Sequence, residues 1–450
     1  MSHFSNCCSL LKGHIQAAMS DITVNLKSFQ SEHAGEESEQ PLSHLRSRCK
    51  GLMVNACAHA VFFCKLLHAL RQKEERRKVS LISSKESMCN EDLKVGIIGG
   101  GHIGKQLAWA LLELSGISAQ NIHMSTRRPE ILSEFQQLGV ECFYDNGQLV
   151  AWSDVVFLCC LPSHLQQICS GICAALQEPC IVYSLVTAVP LPRLKQLLSY
   201  SAILRPHYQC TSRDLENVWG TKGTIRAALQ DPIVIQATCP YNPKEEIAVT
   251  GKWLEAVFYA ALNSCKWRHL PHQQALKLLN DVCFPEHCPI CAEQKTSCPR
   301  FECGSFVNQT FVSSLTQEEK TNVVCSSVTT ACRAVIFLLD YFSYSTFPWF
   351  DLTTVQLKES PFSQLLARSV LLQNHLTFLY CTSFGVLLER SGRMAPSGSR
   401  MSSFPATADP MMVPGHESIS TTAAIDMTWT KDTGDIPNTD SEASFSITTM

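Results

Sequence analysis

Leu93–Gly104 reads LKVGIIGGGHIG, and its glycines are spaced for one kind of chemistry. Gly99, Gly101 and Gly104 fit G-x-G-x-x-G between the apolar run Lys94–Ile98 and the helix-forming, apolar-striped Lys105–Leu114. In that setting the first glycine permits a tight turn and the second lets backbone approach a pyrophosphate. The third lets helix and strand pack closely. The N–H groups of His102, Ile103 and Gly104 then face phosphates at a helix N-terminus, where the dipole favours negative charge. A dinucleotide site is expected here; the plainer alternative is a glycine turn in some other α/β unit.

The second strand selects the nicotinamide. An NAD site places Asp or Glu about 20 residues beyond the glycines to accept from the ribose 2′-OH. Here Ser125-Thr126-Arg127-Arg128 stands 21 residues after Gly104, with no acid before Glu130. Hydroxyls and guanidinium forks suit a 2′-phosphate, so NADP(H) is the expected cofactor; the alternative is a solvated basic loop. Proton donors are sought at the carboxyl ends of the later strands, where open α/β sheets bind ligands. Ser184, His207 and Tyr208 stand there, and of these side-chain types an imidazole is the one best suited to proton transfer. Against this, Ser184 suits a strand-end hydroxyl satisfying backbone. Cys159 and Cys160 read as strand packing. Cys283, His287, Cys288, Cys291, Cys298 and Cys303 form a further cluster. Cys288, Cys291, Cys298 and Cys303 are a weak tetrahedral zinc candidate, because the second pair is C-x4-C rather than a second C-x-x-C knuckle. The default there is a free-thiol loop without metal.

The elements that must position these groups alternate regularly. Strands are expected at Asn121–Ser125, Val140–Tyr144, Asp154–Cys160, Cys180–Val186 and Ala202–Arg205, separated by helices at Pro129–Leu138, Gly147–Trp152, Ser163–Ala175 and Leu191–Leu198. Such alternation implies right-handed βαβ units and a parallel sheet. Beyond it, Pro232–Ala237 (PIVIQA) reads as another strand, Lys244–Asn263 as one long helix, Pro271–Val282 as a helix, and Phe284–Phe306 as a Cys/Pro-rich loop. Gln317–Tyr341 resumes helical character.

Two apolar stretches raise the membrane question. Gly51–Leu70 is interrupted by Asn55, His59, Lys65 and His68 and runs into the charged Arg71–Lys78, so an amphipathic helix packed on the protein is expected. Ser369–Leu388 has no charge, but Gln373, Asn374 and His375 favour a buried helix over a span. A net charge of −3 gives no reason to expect nucleic acid. The N-terminus lacks a signal-peptide pattern, so the 23 cysteines are expected to be reduced thiols of a cytoplasmic protein rather than a disulfide framework.

With these residues in place, residues 91–210 resemble the pyrroline-5-carboxylate reductase family. The match runs through GGGHIG, the Ser125–Arg128 loop, Asn146 ahead of SDVVFLCCLP, and Tyr183-Ser184-Leu185-Val186-Thr187. The resemblance implies hydride transfer from NADPH to a C=N carbon, with pyrroline-5-carboxylate, the imine of proline biosynthesis, as the model substrate. It extends the cofactor contacts to Asn146, Cys160, Leu161 and Pro162. The chain departs from the family at Leu161, where the family has lysine, and at Arg205-Pro206-His207-Tyr208, where it has Met-Pro-Asn. The Gly-Ser-Gly-Pro-Ala motif of its helical half is absent.

The expected architecture is α/β: a helical N-terminal extension (1–90) and a Rossmann-type doubly wound parallel sheet (91–240). A divergent, mainly helical region (241–392) follows, with its Cys-rich loop at 283–303, and then a disordered tail (393–450). The expected function is NADP(H)-dependent reduction of a small imine or carbonyl compound, without nucleic acid or membrane partner and with a homo-oligomer left open. The rival is a catalytically inactive NADP-binding sensor or scaffold.

Overall fold

Runs of β-branched and apolar residues flanked by polar turns form the sheet. In the computed structural model the strands are β1 (Val95–Ile98), β2 (Ile122–Ser125), β3 (Glu141–Phe143), β4 (Val155–Leu158), β5 (Ile181–Ser184) and β6 (Ile203–Leu204), all parallel, in the order β3-β2-β1-β4-β5-β6. The structure describes residues 40–81, 92–210, 224–241, 247–284, 289–294, 296–308, 311 and 346–386. The sequence expectations for Gln317–Tyr341 and for the tail at 393–450 lie outside these.

Both faces of the sheet are covered, which is what lets the central strands β1, β4 and β5 be buried along their whole length. Val155 and Phe157 join Ile97, Tyr183 and Leu204 in one core, while Val156 and Leu158 join Ile98, Val182 and Ile203 in the other. Alternation along each strand sends successive side chains to opposite faces. The second core is closed by helices Asn146–Trp152, Pro162–Ile172 and Leu191–Leu198. The first is closed by helix His102–Leu114 together with two long helices, Gln40–Leu81 and Gly251–Trp267.

Gln40–Leu81 is a single 42-residue helix, about 60 Å long at 1.5 Å per residue. Its stretch Ser47–Lys78 is long and apolar enough, by length and composition, to cross a membrane, yet 78% of its apolar window is buried inside the protein. Arg71 fastens it to the sheet through Asp154 at 2.8 Å, and Glu74 pairs with Arg268 at the end of helix Gly251–Trp267. Helix Val370–Ser383, the second apolar stretch, packs with Leu372, His375, Leu376, Tyr380 and Cys381 buried.

Two elements differ from expectation. Pro232–Ala237 is a helix, not a strand. The Asp231 carboxylate accepts from the Ile233 N–H at 2.8 Å, and proline occupies the first helical turn. That cap outweighs the β-branched composition of a six-residue segment. Lys244–Asn263 is not one helix either. Residues 242–246 lie outside the described set, Ile247–Val249 is a strand (β8), and the helix begins only at Gly251. β8 pairs antiparallel with β7 (Tyr208–Cys210), and the Thr250 N–H donates to the His207 carbonyl at 2.9 Å. A partner some forty residues away thus takes the segment from the helix.

Candidate functional site

Parallel register brings the chemistry to one edge. Ile98 is level with Ser125 and Leu158, and Leu158 with Ser184, so the loops leaving β1, β2, β4 and β5 open side by side. The connection from β1 goes one way and that from β4 the other, which makes the gap between them the switch point where such sheets bind ligands.

Each glycine of the loop meets a different demand. Gly99 has φ +113, and a Cβ there would lie 2.5 Å from the Cys159 carbonyl oxygen. Its N–H donates to the Ser125 carbonyl at 2.9 Å, which ties the turn to β2. A Cβ on Gly104 would lie 1.9 Å from the Gly99 carbonyl oxygen, so only glycine lets the helix start this close to the strand. Gly101 is the opposite case. A Cβ there meets nothing within 4 Å, so the space beside it is open. Helix His102–Leu114 starts from Gly101 with no side-chain cap and no acid in its first turn. An open cradle before an uncapped helix N-terminus suits a pyrophosphate, and the residues present fit a dinucleotide.

The basic loop after β2 divides by burial. Ser125 is fully buried, and its hydroxyl donates to Asn146 Oδ1 at 2.7 Å, so it positions Asn146 rather than reaching outward. Thr126 is half-buried, Arg127 and Arg128 are exposed, and among the described residues neither guanidinium forms an ion pair. The segment that follows is pinned in place. Lys105 Nζ donates to the Ile131 carbonyl and to Glu134 Oε1, both at 3.1 Å. Asn146 opens its own helix, capped by the Asp145 carboxylate accepting from Gly147 and Gln148.

After β4, Cys159 is buried and Cys160 half-buried, while Leu161 and Pro162 are exposed at the start of helix Pro162–Ile172. Burial pushes the Cys160 thiol up to about 11 and the Cys159 thiol well above its usual range. Both therefore remain protonated packing groups, and neither is a nucleophile at neutral pH.

The three proton candidates part company. Ser184 is buried and accepts from the Val186 N–H at 3.3 Å. His207 is exposed beyond β6. Tyr208 faces the core, with its hydroxyl 3.0 Å from His59 Nδ1. His59, from the long N-terminal helix, also lies 2.8 Å from the Thr238 carbonyl through Nε2. That carbonyl can only accept, so Nε2 carries the proton and Nδ1 accepts from Tyr208. Burial lowers His59 to about 4, which keeps it neutral. The sequence offered no link between His59 and Tyr208, 149 positions apart.

The zinc candidate is also rearranged. Cys288 lies outside the described residues, and Cys303 begins the short helix Cys303–Phe306. The ligand-type atoms within 4.8 Å of one another belong to Cys291, Cys298 and His375. Spacing pointed to Cys303; the fold supplies a histidine.

The family described as NADP oxidoreductase coenzyme F420-dependent matches residues 94–187. The NADP-dependent oxidoreductase domain-containing protein 1 of Mus musculus is 42% identical over 373 residues, covering 82% of this chain and 94% of that protein. Pyrroline-5-carboxylate reductase of Methanosarcina acetivorans is 28% identical over 109 residues, 24% of this chain and 40% of that protein. A solved pyrroline-5-carboxylate reductase from Coxiella burnetii aligns at 17% identity over 65% of this chain and 98% of its own, with a TM-score of 0.25.

Proposed function

The chain belongs to the family of NADP-dependent oxidoreductase domain-containing protein 1, and from that premise we propose that it is an NADP(H)-dependent reductase of a small imine resembling pyrroline-5-carboxylate. The observation that carries this reading is the pairing of an open cradle at Gly101 with two exposed guanidiniums one strand away, Arg127 and Arg128, which form no ion pair among the described residues. The nicotinamide, when bound, supplies the hydride. The chain's own residues do the rest. The N–H groups of His102, Ile103 and Gly104 hold the pyrophosphate, with Gly99 and Gly101 keeping the approach clear. Thr126, Arg127 and Arg128 hold the 2′-phosphate, while Ser125 orients Asn146 at the adenosine side. Cys160, Leu161 and Pro162 border the nicotinamide end. Leu161, 63% exposed, leaves that border uncharged. His207 is the proton source for the nascent amine, since Ser184 is covered and Tyr208 is engaged with His59. Described cysteines such as Cys57, Cys64, Cys180 and Cys265 carry free thiols, which suits a reducing compartment such as the cytoplasm.

The inward turn of Tyr208 and the burial of Ser184 favour one second reading, a nucleotide-binding sensor or scaffold without turnover. One assay separates the two. NADPH oxidation by the full chain is followed with a panel of five- and six-membered cyclic imines, beside NADPH binding. Turnover that falls in His207→Asn with binding retained supports the reductase. Saturable binding without turnover across the panel supports the second reading.

A further inference from the structure

Three side chains from two distant parts of the chain converge. Cys291 lies in helix Pro289–Gln294, Cys298 just beyond it, and His375 in helix Val370–Ser383, 84 positions after Cys291. Cys291 Sγ stands 3.1 Å from His375 Nε2, and the three ligand-type atoms all lie within 4.8 Å of one another. Cys291 and His375 are buried and Cys298 is half-buried. The histidine tautomer is set locally. His375 Nδ1 lies 2.8 Å from the Leu371 carbonyl, which can only accept, so Nδ1 carries the proton and Nε2 presents its lone pair to the sulfurs. Metal-ligating histidines have this arrangement, with the second ring nitrogen donating to a backbone carbonyl that fixes the ring. The Phe284 ring packs edge-on to His375 at 5.8 Å, and the Thr296 N–H closes the turn onto the Cys291 carbonyl at 3.1 Å.

From this geometry we infer that Cys291, Cys298 and His375 hold a structural zinc ion. Soft thiolates with an imidazole are the donor set that selects zinc. Bonds of about 2.3 Å to sulfur and about 2.0 Å to nitrogen put tetrahedral ligand atoms roughly 3.5–3.8 Å apart, within the spacing seen. As the ion binds, both thiols release their protons to solvent and the imidazole stays neutral. The reading of Cys291 and His375 as a nucleophile and its base is disfavoured by their burial, since a reactive thiol must be reached by substrate. These three are the ligand group found among the described residues, and a solvent water takes the fourth position of the tetrahedral ion at the half-buried Cys298 side. The ion would staple the cysteine-rich segment to helix Val370–Ser383, which itself packs on helices Gln40–Leu81 and His272–Cys283. None of its ligands belongs to the nucleotide loops, so its test does not depend on turnover.

The full chain is purified without metal-affinity steps and its metal content measured by elemental analysis. The expected result is about one zinc per chain, lost in Cys298→Ser and in His375→Gln but retained in Cys303→Ser. Should the ligand variants fail to fold, the wild-type chain exchanged into cobalt(II) decides, because thiolate coordination gives intense charge-transfer absorption. A folded wild-type chain that takes up neither zinc nor cobalt overturns the inference. So does a Cys291–Cys298 disulfide in the purified protein, or equal zinc in the folded His375→Gln and Cys303→Ser chains.

Discussion

Gly101 and Gly104 stand three residues apart in one loop, yet substitutions at them should fail in opposite ways. At Gly104 an added Cβ would sit 1.9 Å from the Gly99 carbonyl oxygen, where ordinary contact begins near 3.4 Å, and the obstacle is backbone at a strand end. The helix must move, so Gly104→Ala should cost about 3 kcal/mol, the upper end of ordinary overpacking. That lowers the melting temperature by about 5–10 °C. At Gly101 the backbone is extended, φ −78, and the Cβ meets nothing within 4 Å. Gly101→Val loses about 1 kcal/mol of helix capping, largely offset by the lower freedom of the unfolded chain. Its stability should therefore stay within about 1 kcal/mol of the parent. Its branched side chain fills the space assigned to the pyrophosphate, so NADPH affinity should fall about 100-fold or more, roughly 3 kcal/mol. Thermal unfolding and NADPH titration of both variants check this together. A Gly101→Val chain that binds NADPH as tightly as the parent would show that the dinucleotide does not cross this loop.

Arg127→Ala combined with Arg128→Ala removes two charge-assisted contacts worth at least about 1.5 kcal/mol each. NADPH binding should weaken by about 100-fold while NADH binding and melting temperature hold; equal weakening of both nucleotides would remove the case for 2′-phosphate recognition. His59, neutral and buried with its pKa lowered to about 4, gives an acid-sensitive fold. The unfolded chain takes up the proton first, so stability is full above about pH 6.5 and declines toward pH 4, by roughly 3 kcal/mol in all. Denaturant midpoints at about pH 7 and pH 4.5 should show that loss, and a folded His59→Asn chain with an unchanged slope would assign it elsewhere. Arg268→Ala should cost about 2–4 kcal/mol by leaving Glu74, 4% exposed, with Lys78 as its one remaining ion-pair partner among the described residues. An unfolding free energy within about 0.5 kcal/mol of the parent would show that this ion pair does not hold the long helix in place.

The central sheet was legible because its inner strands β1 and β4 are short runs rich in Val, Ile, Leu and Phe, and because glycine spacing carries its own stereochemistry. The edge on which Gly101, Arg127 and Leu161 stand follows from that order. What escaped depends on distant partners. Ile247–Val249 looks helical until Tyr208–Cys210 pairs with it, and PIVIQA cannot be told from a strand by periodicity alone. There the Asp231-Pro232 cap was the signal to weigh. Ser125 appeared to be a phosphate donor because the sequence does not disclose that Asn146 lies 2.7 Å from its hydroxyl. Likewise, cysteine spacing pointed to Cys303, whereas helix packing brings His375 to Cys291.

Calorimetric titration of the full chain with NADPH and with NADH, in one buffer of fixed ionic strength, tests the nucleotide site most directly. The expected result is saturation by NADPH at one molecule per chain, with NADH about 100-fold weaker, the ratio that two guanidinium–phosphate contacts imply. A folded chain that binds neither nucleotide, or that prefers NADH, would contradict it.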